Sequence, residues 1–148
     1  MTLECGSGDS GSTPGARTKE FYCKNCRKFC RRYYRGYEPI YCSRQCHQEF
    51  AFNDKYERWL SGEVGVWSSL GGAKRALIKK DGYFCKVCKI EDWQGRAISL
   101  HVDHIDGNRN NHHVYNMRLL CPNCHSQTPN HGTKNRGKFN YPKVKRVT

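Results

Sequence analysis

Long hydrophobic runs are missing from this chain of 148 residues, and so is an apolar stretch near its start. The first absence excludes a membrane-spanning helix, which needs about 20 apolar residues, and the second favours a protein that is not secreted. Only 36% of the residues are hydrophobic, below the roughly 45–50% of ordinary soluble domains. A chain of this kind builds a small core, so we expect it to be stapled by disulfides or bound metals.

Acidic residues are also scarce. None follows Asp106 and none lies between Phe21 and Tyr37, and the formal net charge is +13. Two zinc ions held by eight thiolates would still leave a net charge of about +9. We therefore expect a polyanionic partner, in particular nucleic acid, over the alternative of a merely soluble basic surface.

Cysteine, in contrast, is abundant, with ten in the chain. Eight of them form pairs separated by two or three residues, the spacing of zinc knuckles, which favours cytoplasmic zinc sites over a secreted disulfide framework. The two predicted structural zinc sites are Cys85, Cys88, Cys121 and Cys124, and Cys23, Cys26, Cys42 and Cys46. Four thiolates close a zinc site, so neither ion is expected to do chemistry.

Two cysteines and one histidine are left over. We interpret Cys5 as a free thiol or an incidental residue, and Cys30 as a small buried hydrophobe. His47 directly follows Cys46 and is an alternative ligand to it, although a helix surface position is the simpler interpretation.

The pattern along the chain divides it into five parts. Residues 1–20 are rich in glycine and serine and are expected to be disordered. Residues 21–60 form a zinc module with a helix that Ser43 caps and that points Phe50, Tyr56, Trp59 and Leu60 inward. A connector over 61–70, a second domain over 71–132 and a basic tail over 133–148 follow.

Within the second domain, the sequence predicts a helix over 72–80 that Gly82 ends. A strand over 98–105, a polar loop over 106–113 and a strand over 114–120 come next, and a short helix begins around His125. The fold class is therefore a small, zinc-stapled α+β protein.

The segment 100–128, LHVDHIDGNRNNHHVYNMRLLCPNCHSQT, crowds hydrolytic residue types beside a cysteine pair. It contains Asp103, His104, Asn116 and His125. Adjacent strand residues point to opposite faces, so Asp103 and His104 can share a site only where the strand ends and turns. The combination indicates metal-assisted phosphodiester cleavage.

The order Asp-His, Asn, then C-x2-C-His, with an earlier C-x2-C, resembles the HNH endonucleases of the ββα-metal (His-Me finger) class. The resemblance covers about residues 71–137. Within it, the wording DHIDGNRNN and LLCPNCHSQT resembles free-standing bacteriophage HNH proteins. It implies a ββα-metal, treble-clef-like core, preceded here by a four-cysteine zinc-finger module that also resembles one found ahead of such nucleases. Host-cell cytoplasm would then be the location.

The resemblance implies a role for each residue. His104 is the general base, Asp103 and His125 hold one divalent ion, Mg²⁺ or Mn²⁺, and Asn116 orients His104 by hydrogen bonding or by pinning the loop. The expected products carry 5′-phosphate and 3′-hydroxyl ends. By their positions alone, His101, His112 and His113 are expected to have no role in the site. The alternative for His101, on the same strand face as Asp103, is the metal shell, and the alternative for His112 and His113, in the loop, is contact with DNA phosphates.

Double-stranded DNA is the expected partner, and no membrane is. The basic residues predicted to grip it are Lys28, Arg31, Arg32, Arg35, Arg109, Arg118, Lys134, Arg136 and Lys138. A noncatalytic, zinc-stapled nucleic-acid-binding module is the alternative function. The target sequence, the choice between nicking and double-strand cleavage, and the oligomeric state are open at this point.

Overall fold

The computed structural model describes residues 15, 17–63 and 65–135, which form an α+β arrangement of short elements. The chain divides into two compact units, Met1–Tyr56 and Glu57–Thr148. Predictions for residues 1–14, 16, 64 and 136–148, including those for Cys5, Arg136, Lys138 and most of both tails, lie outside the described residues. Within the described part, no helix has the length and apolar character needed to cross a membrane.

The first unit opens with an antiparallel hairpin of β1 (Arg17–Tyr22) and β2 (Phe29–Tyr34). Phe21 pairs with Cys30, which is only 1% exposed, so the interpretation of Cys30 as a small buried hydrophobe is confirmed. The disorder predicted for residues 1–20 is wrong from Arg17 onward. The segment continues into the β-prone residues Phe21 and Tyr22 and pairs with the following strand, β2. Local composition does not reveal such a pairing.

A long helix, α1 (Arg44–Leu60), follows the hairpin. Ser43 caps it as predicted, because its Oγ accepts from Cys46 N at 3.1 Å. Tyr56 and Trp59 are buried as expected, whereas Leu60 is 37% exposed and its predicted inward position is wrong. Leu60 is the last residue of the helix, where the chain leaves the helical path through the turn at Ser61 and Gly62.

The second unit contains α2 (Leu70–Asp81), the tight hairpin β3 (Asp92–Trp93) and β4 (Arg96–Ala97), and the antiparallel pair β5 (His101–His104) and β6 (Met117–Leu120). A short helix α3 (Pro122–Ser126) and a 3₁₀ turn (Gly132–Asn135) follow. Helix α2 begins after Ser69, whose Oγ accepts from Gly72 N. It ends at Gly82 as predicted, in a left-handed conformation with φ of 93°.

The core of the second unit forms where α2 packs on β5 and β6. Its buried side chains are Trp59, Ala73, Ala76, Leu77, Leu100, Val114, Met117, Leu119 and Leu120. Three of the four residues of β6 are apolar and buried, with Met117, Leu119 and Leu120 all at most 3% exposed. The pair β5–β6 is therefore covered well enough to serve as a firm base for the polar residues at its end.

The strands are shorter than predicted and α3 starts earlier. Ile98 N bonds to Glu91 O beside the β3–β4 hairpin, and Asn116 N closes a turn onto His113 O, so these flanking residues leave the β5–β6 ladder. The predicted start of the last helix near His125 is wrong, because Pro122 occupies its first turn and Cys121 caps it. His125 consequently lies within α3 rather than at its beginning.

Candidate functional site

The second-unit cysteine cluster joins two turns that are distant in sequence. The four sulfurs of Cys85, Cys88, Cys121 and Cys124 lie within 4.8 Å of one another, and Cys88 Sγ is 3.7 Å from Cys121 Sγ. Zn–S bonds of about 2.3 Å in a tetrahedron place sulfurs roughly 3.8 Å apart. The donor set therefore fits a zinc ion that clips the turn after α2 to the end of β6.

The first knuckle of this cluster is shaped for thiolate. Burial raises the pKa of Cys85, but the backbone N–H groups of Cys121, Cys88 and Val87 outweigh it and lower the pKa to about 6. Lys89 N closes the turn onto Cys85 O at 2.9 Å, and Lys89 adopts a left-handed φ of 65°. A thiolate stabilised in this way is the form that binds zinc.

The first-unit cluster repeats this arrangement. The sulfurs of Cys23, Cys26, Cys42 and Cys46 lie within 4.8 Å of one another. The residue after the first knuckle, Arg27, is again left-handed, with φ of 61°. His47 stacks on Tyr41 with ring centroids 4.8 Å apart and is not in the cluster. Among the described residues, these two clusters are the groups of three or more side chains able to hold a metal.

Asp103 and His125 converge from β5 and α3. Asp103 is 5% exposed, and its Oδ1 lies 3.8 Å from His125 Nε2. Two ligands of one divalent ion, each about 2.1 Å from it, are at most roughly 4.2 Å apart. The pair therefore has a separation that a shared ion can bridge, and the second oxygen of Asp103 is held by Arg118 Nε at 2.8 Å.

His125 is further bounded by two other histidines. His101 Nδ1 lies 3.2 Å from His125 Nδ1, and the His131 ring meets the His125 ring edge-on at 4.9 Å. Burial lowers the pKa of His125, and the charges of His131, His101 and Arg118 lower it further against the opposing effect of Asp103. His125 is thus favoured in the neutral form that coordinates metals.

His104, the residue beside Asp103, has a different environment. Its ring stacks on that of His112 with centroids 5.2 Å apart and planes 25° apart. Burial lowers the pKa of His104, the charge of His112 adds to this, and Asp106 and Asp103 oppose it. A neutral imidazole at neutral pH can accept a proton, which is the property required of a general base.

Asn116 holds the loop rather than the His104 side chain. Its Nδ2 donates to Asp106 Oδ1 at 2.9 Å and to Asn111 O at 2.8 Å, and its Oδ1 accepts from Asp106 N at 3.1 Å. Its backbone carbonyl accepts from Ile105 N. Of the two modes predicted for Asn116, the contacts in the described residues match pinning of the loop that follows His104.

Several of the predicted DNA-contacting side chains bond within the protein. Arg118 donates to Asp103, Arg32 Nη1 donates to Cys42 O, and Arg31 Nε lies 3.6 Å from Glu20 Oε1. Lys134 Nζ donates to Ser126 O and Thr128 O, just beyond α3. Arg118 and Lys134 thus support the site from within.

Two residues of the site were missed from the sequence. Asp106 collects hydrogen bonds from Asn108 N, Asn111 Nδ2 and Asn116 Nδ2, and His112 forms the wall beside His104. The turn-rich sequence DGNRNN is a signal for Asp106, because an aspartate side chain in such a turn commonly accepts a hydrogen bond from the backbone N–H two residues later. No local signal distinguished His112 from His113.

Comparison with curated proteins gives a match to the H-N-H endonuclease F-TflIV of Escherichia phage T5, 46% identical over 55 residues. The matched segment is 37% of this chain and 24% of that protein, so the chain spans about a quarter of this relative's length. Neither a family model nor a solved structure matches the chain. The resemblance to HNH endonucleases that the Asp-His, Asn and Cys-x2-Cys-His pattern predicted is confirmed over that segment.

Proposed function

We propose that this chain is a metal-dependent DNA endonuclease with a ββα-metal core formed by β5, β6 and α3. The observation that carries the proposal is the approach of Asp103 Oδ1 to His125 Nε2 at 3.8 Å, with His104 next to Asp103 where β5 ends. A noncatalytic binding module has no need for this arrangement. The similarity to an endonuclease of phage T5 supports the same conclusion.

In the proposed mechanism His104 takes a proton from the attacking water, which its lowered pKa allows at neutral pH. Asp103 and His125 would hold Mg²⁺ or Mn²⁺. When bound, such an ion polarises the scissile phosphate and stabilises charge on the leaving 3′ oxygen. Asn116 keeps the loop after His104 in place. The products would carry 5′-phosphate and 3′-hydroxyl ends.

The two four-cysteine sites have a separate, structural role in this proposal. Zinc at Cys85, Cys88, Cys121 and Cys124 would set the start of α3 and therefore the place of His125. Zinc at the first-unit cluster would fold the N-terminal module, which we assign to residues 21–60 ahead of a nuclease domain at 71–132. Such thiolate sites suit a reducing cytoplasm.

Double-stranded DNA is the proposed substrate, since the formal net charge of +13 favours a polyanion. The side chains proposed to contact phosphates are now fewer. Lys28, Arg35 and Arg109 are kept for that role, together with Arg31 and Arg32 at the hairpin, whereas Arg118 and Lys134 are assigned to support of the site.

Incubation of supercoiled plasmid with the zinc-loaded protein and Mg²⁺ or Mn²⁺ tests the proposal. We expect nicked or linear products from the wild type, at least about 100-fold slower cleavage by His104→Ala, and unchanged cleavage by His47→Ala. Intact plasmid with the wild type, or equal cleavage by His104→Ala, would refute the endonuclease. If a gel shift still occurs, the noncatalytic binding module takes its place.

A further inference from the structure

His112 is fixed on three sides by backbone bonds. Its Nδ1 lies 2.9 Å from Trp67 O, its Nε2 lies 2.9 Å from Arg109 O, and its own carbonyl accepts from Trp59 Nε1 at 2.8 Å. These partners come from α1, from the connector and from the loop. The ring of His112 is therefore held between the connector and the loop, while Trp59 holds its backbone carbonyl. Its ring nitrogens are engaged rather than directed at phosphates.

One face of the His112 ring packs against the ring of His104. The two rings stack with centroids 5.2 Å apart and planes 25° apart. His104 Nε2 is buried and has no hydrogen-bond partner in the described part of the chain. Catalytic histidines are usually oriented by a hydrogen bond at the second ring nitrogen. Nε2 of His104 has no such hydrogen bond within the described residues, so the stacked ring of His112 is left to orient His104.

We propose that His112 is the positioning residue of His104, and that its flat ring is the wall against which the general base is held. The inference rests on the proposed endonuclease function for its catalytic consequence. His112 and Asn116 act on different parts of the site. Asn116 hydrogen-bonds to Asp106 and Asn111 in the loop, whereas His112 contacts the His104 ring itself.

Two substitutions separate the ring from its hydrogen bonds. His112→Phe keeps a flat ring and loses both ring nitrogens, so it can no longer hydrogen-bond to Trp67 O or Arg109 O. His112→Gln keeps a donor and loses the ring. His47→Ala, which removes a histidine ring stacked on Tyr41 in the first unit, is the control. Each variant is assayed as full-length, zinc-loaded protein for plasmid cleavage and for thermal unfolding.

The proposal predicts opposite orders for activity and stability. We expect His112→Gln to lose about 100-fold in kcat with KM little changed, because a small misplacement of a reacting group costs that much. His112→Phe melts at a lower temperature than His112→Gln because its side chain has no donor for Trp67 O or Arg109 O, whereas glutamine keeps one, yet it keeps more activity. If His112→Gln is both the more stable and the more active variant, His112 is only a structural clamp and the proposal fails.

A measurement without cleavage tests the wall when the endonuclease itself is in doubt. The ring-proton NMR signal of His104, assigned through His104→Ala, is shifted by the stacked ring of His112. We expect this shift to persist in His112→Phe and His47→Ala and to collapse in His112→Gln. An unchanged shift in folded His112→Gln would overturn the inference, whether or not the protein cuts DNA. A lost shift combined with an inactive wild type would overturn the proposed function alone.

Discussion

Arg118 Nε donates to Asp103 Oδ2 at 2.8 Å, and the two residues are direct cross-strand partners in β5 and β6. One carboxylate oxygen is thus engaged by a guanidinium, while the other faces His125. A buried carboxylate that points at a second ligand is compatible with folding only when its charge is balanced. Arg118 supplies that balance before an ion arrives.

Replacing Arg118 with methionine should therefore make stability depend on the divalent ion. Loss of one partner of a buried pair costs about 3 kcal/mol, and a bound ion restores part of the lost charge balance. We expect Arg118→Met to melt below the wild type and to gain more from added Mn²⁺. The double variant Asp103→Asn, Arg118→Met should recover stability without Mn²⁺. Equal Mn²⁺ shifts in wild type and Arg118→Met would contradict this account.

His101 should tune the affinity of the ion site. If Nε2 of His125 faces the ion beside Asp103, the other nitrogen carries a proton, and His101 Nδ1 lies 3.2 Å from it. Removing such a supporting partner typically weakens metal binding about 10-fold or more. Mn²⁺ titration followed by electron paramagnetic resonance should show this loss in His101→Ala. His131→Ala, which removes only an edge-on ring contact, is the control, and a loss of equal size there would point to general loosening instead.

Zinc content should follow the cysteine clusters. Elemental analysis of the purified protein is expected to give two zinc ions per chain, one for each group of four cysteines. Cys26→Ser and Cys121→Ser should each reduce this to one, and Cys30→Ala should leave it at two. Cys121→Ser should also abolish cleavage, because without its zinc ligand the turn that starts α3 is no longer clipped to the turn after α2. Retention of both ions by Cys121→Ser would show that the cluster is not a zinc site.

Asp106 should make folding sensitive to acid. Burial raises its pKa, but hydrogen bonds from Asn111, Asn116 and Asn108 N outweigh this and lower the pKa below its usual value. A lowered carboxyl pKa contributes stability that is present above the unfolded value of about 4 and is lost as pH falls through the folded value. Urea midpoints of wild type and Asp106→Ala should therefore differ by a constant amount from about pH 6 to about pH 4 and converge as the pH falls further. A difference that stays constant well below about pH 4 would remove Asp106 as the cause.

Two glycines in left-handed turns form a matched pair. Gly95 has φ of 73° and open space where a Cβ would lie, whereas a Cβ on Gly107, with φ of 77°, would meet Asn130 Cγ at 2.6 Å and Cβ at 2.9 Å. Gly95→Ala should cost about 1 kcal/mol from backbone conformation alone. Gly107→Ala should cost clearly more and should break the bond from Asn130 Nδ2 to Ile105 O. Chemical denaturation compares the free energies of unfolding of the two variants. Equal losses of stability would mean that the Asn130 side chain moves aside at no cost.

The sequence predicted those parts of the site whose spacing is itself the constraint. Both four-cysteine groups followed from their pairs, and Asp103 and His125 were named from a short motif and lie together. The partner of Arg118 was not predictable, because it depends on the register of two strands. The same is true of His112, whose contacts reach back to Trp59 and Trp67 across more than forty residues of chain. Local patterns identify a ligand more readily than they identify what orients it.

Helix α3 has five residues, too few to be stable alone, and it begins inside the second cysteine cluster with Cys121 as its cap. The histidine proposed to hold the working ion is the residue directly after the last cysteine. For the proposed endonuclease, a newly made chain would have no complete cutting site until zinc is loaded. Synthesis and activity would then be separated in time, which protects the DNA of the cell that is making the enzyme.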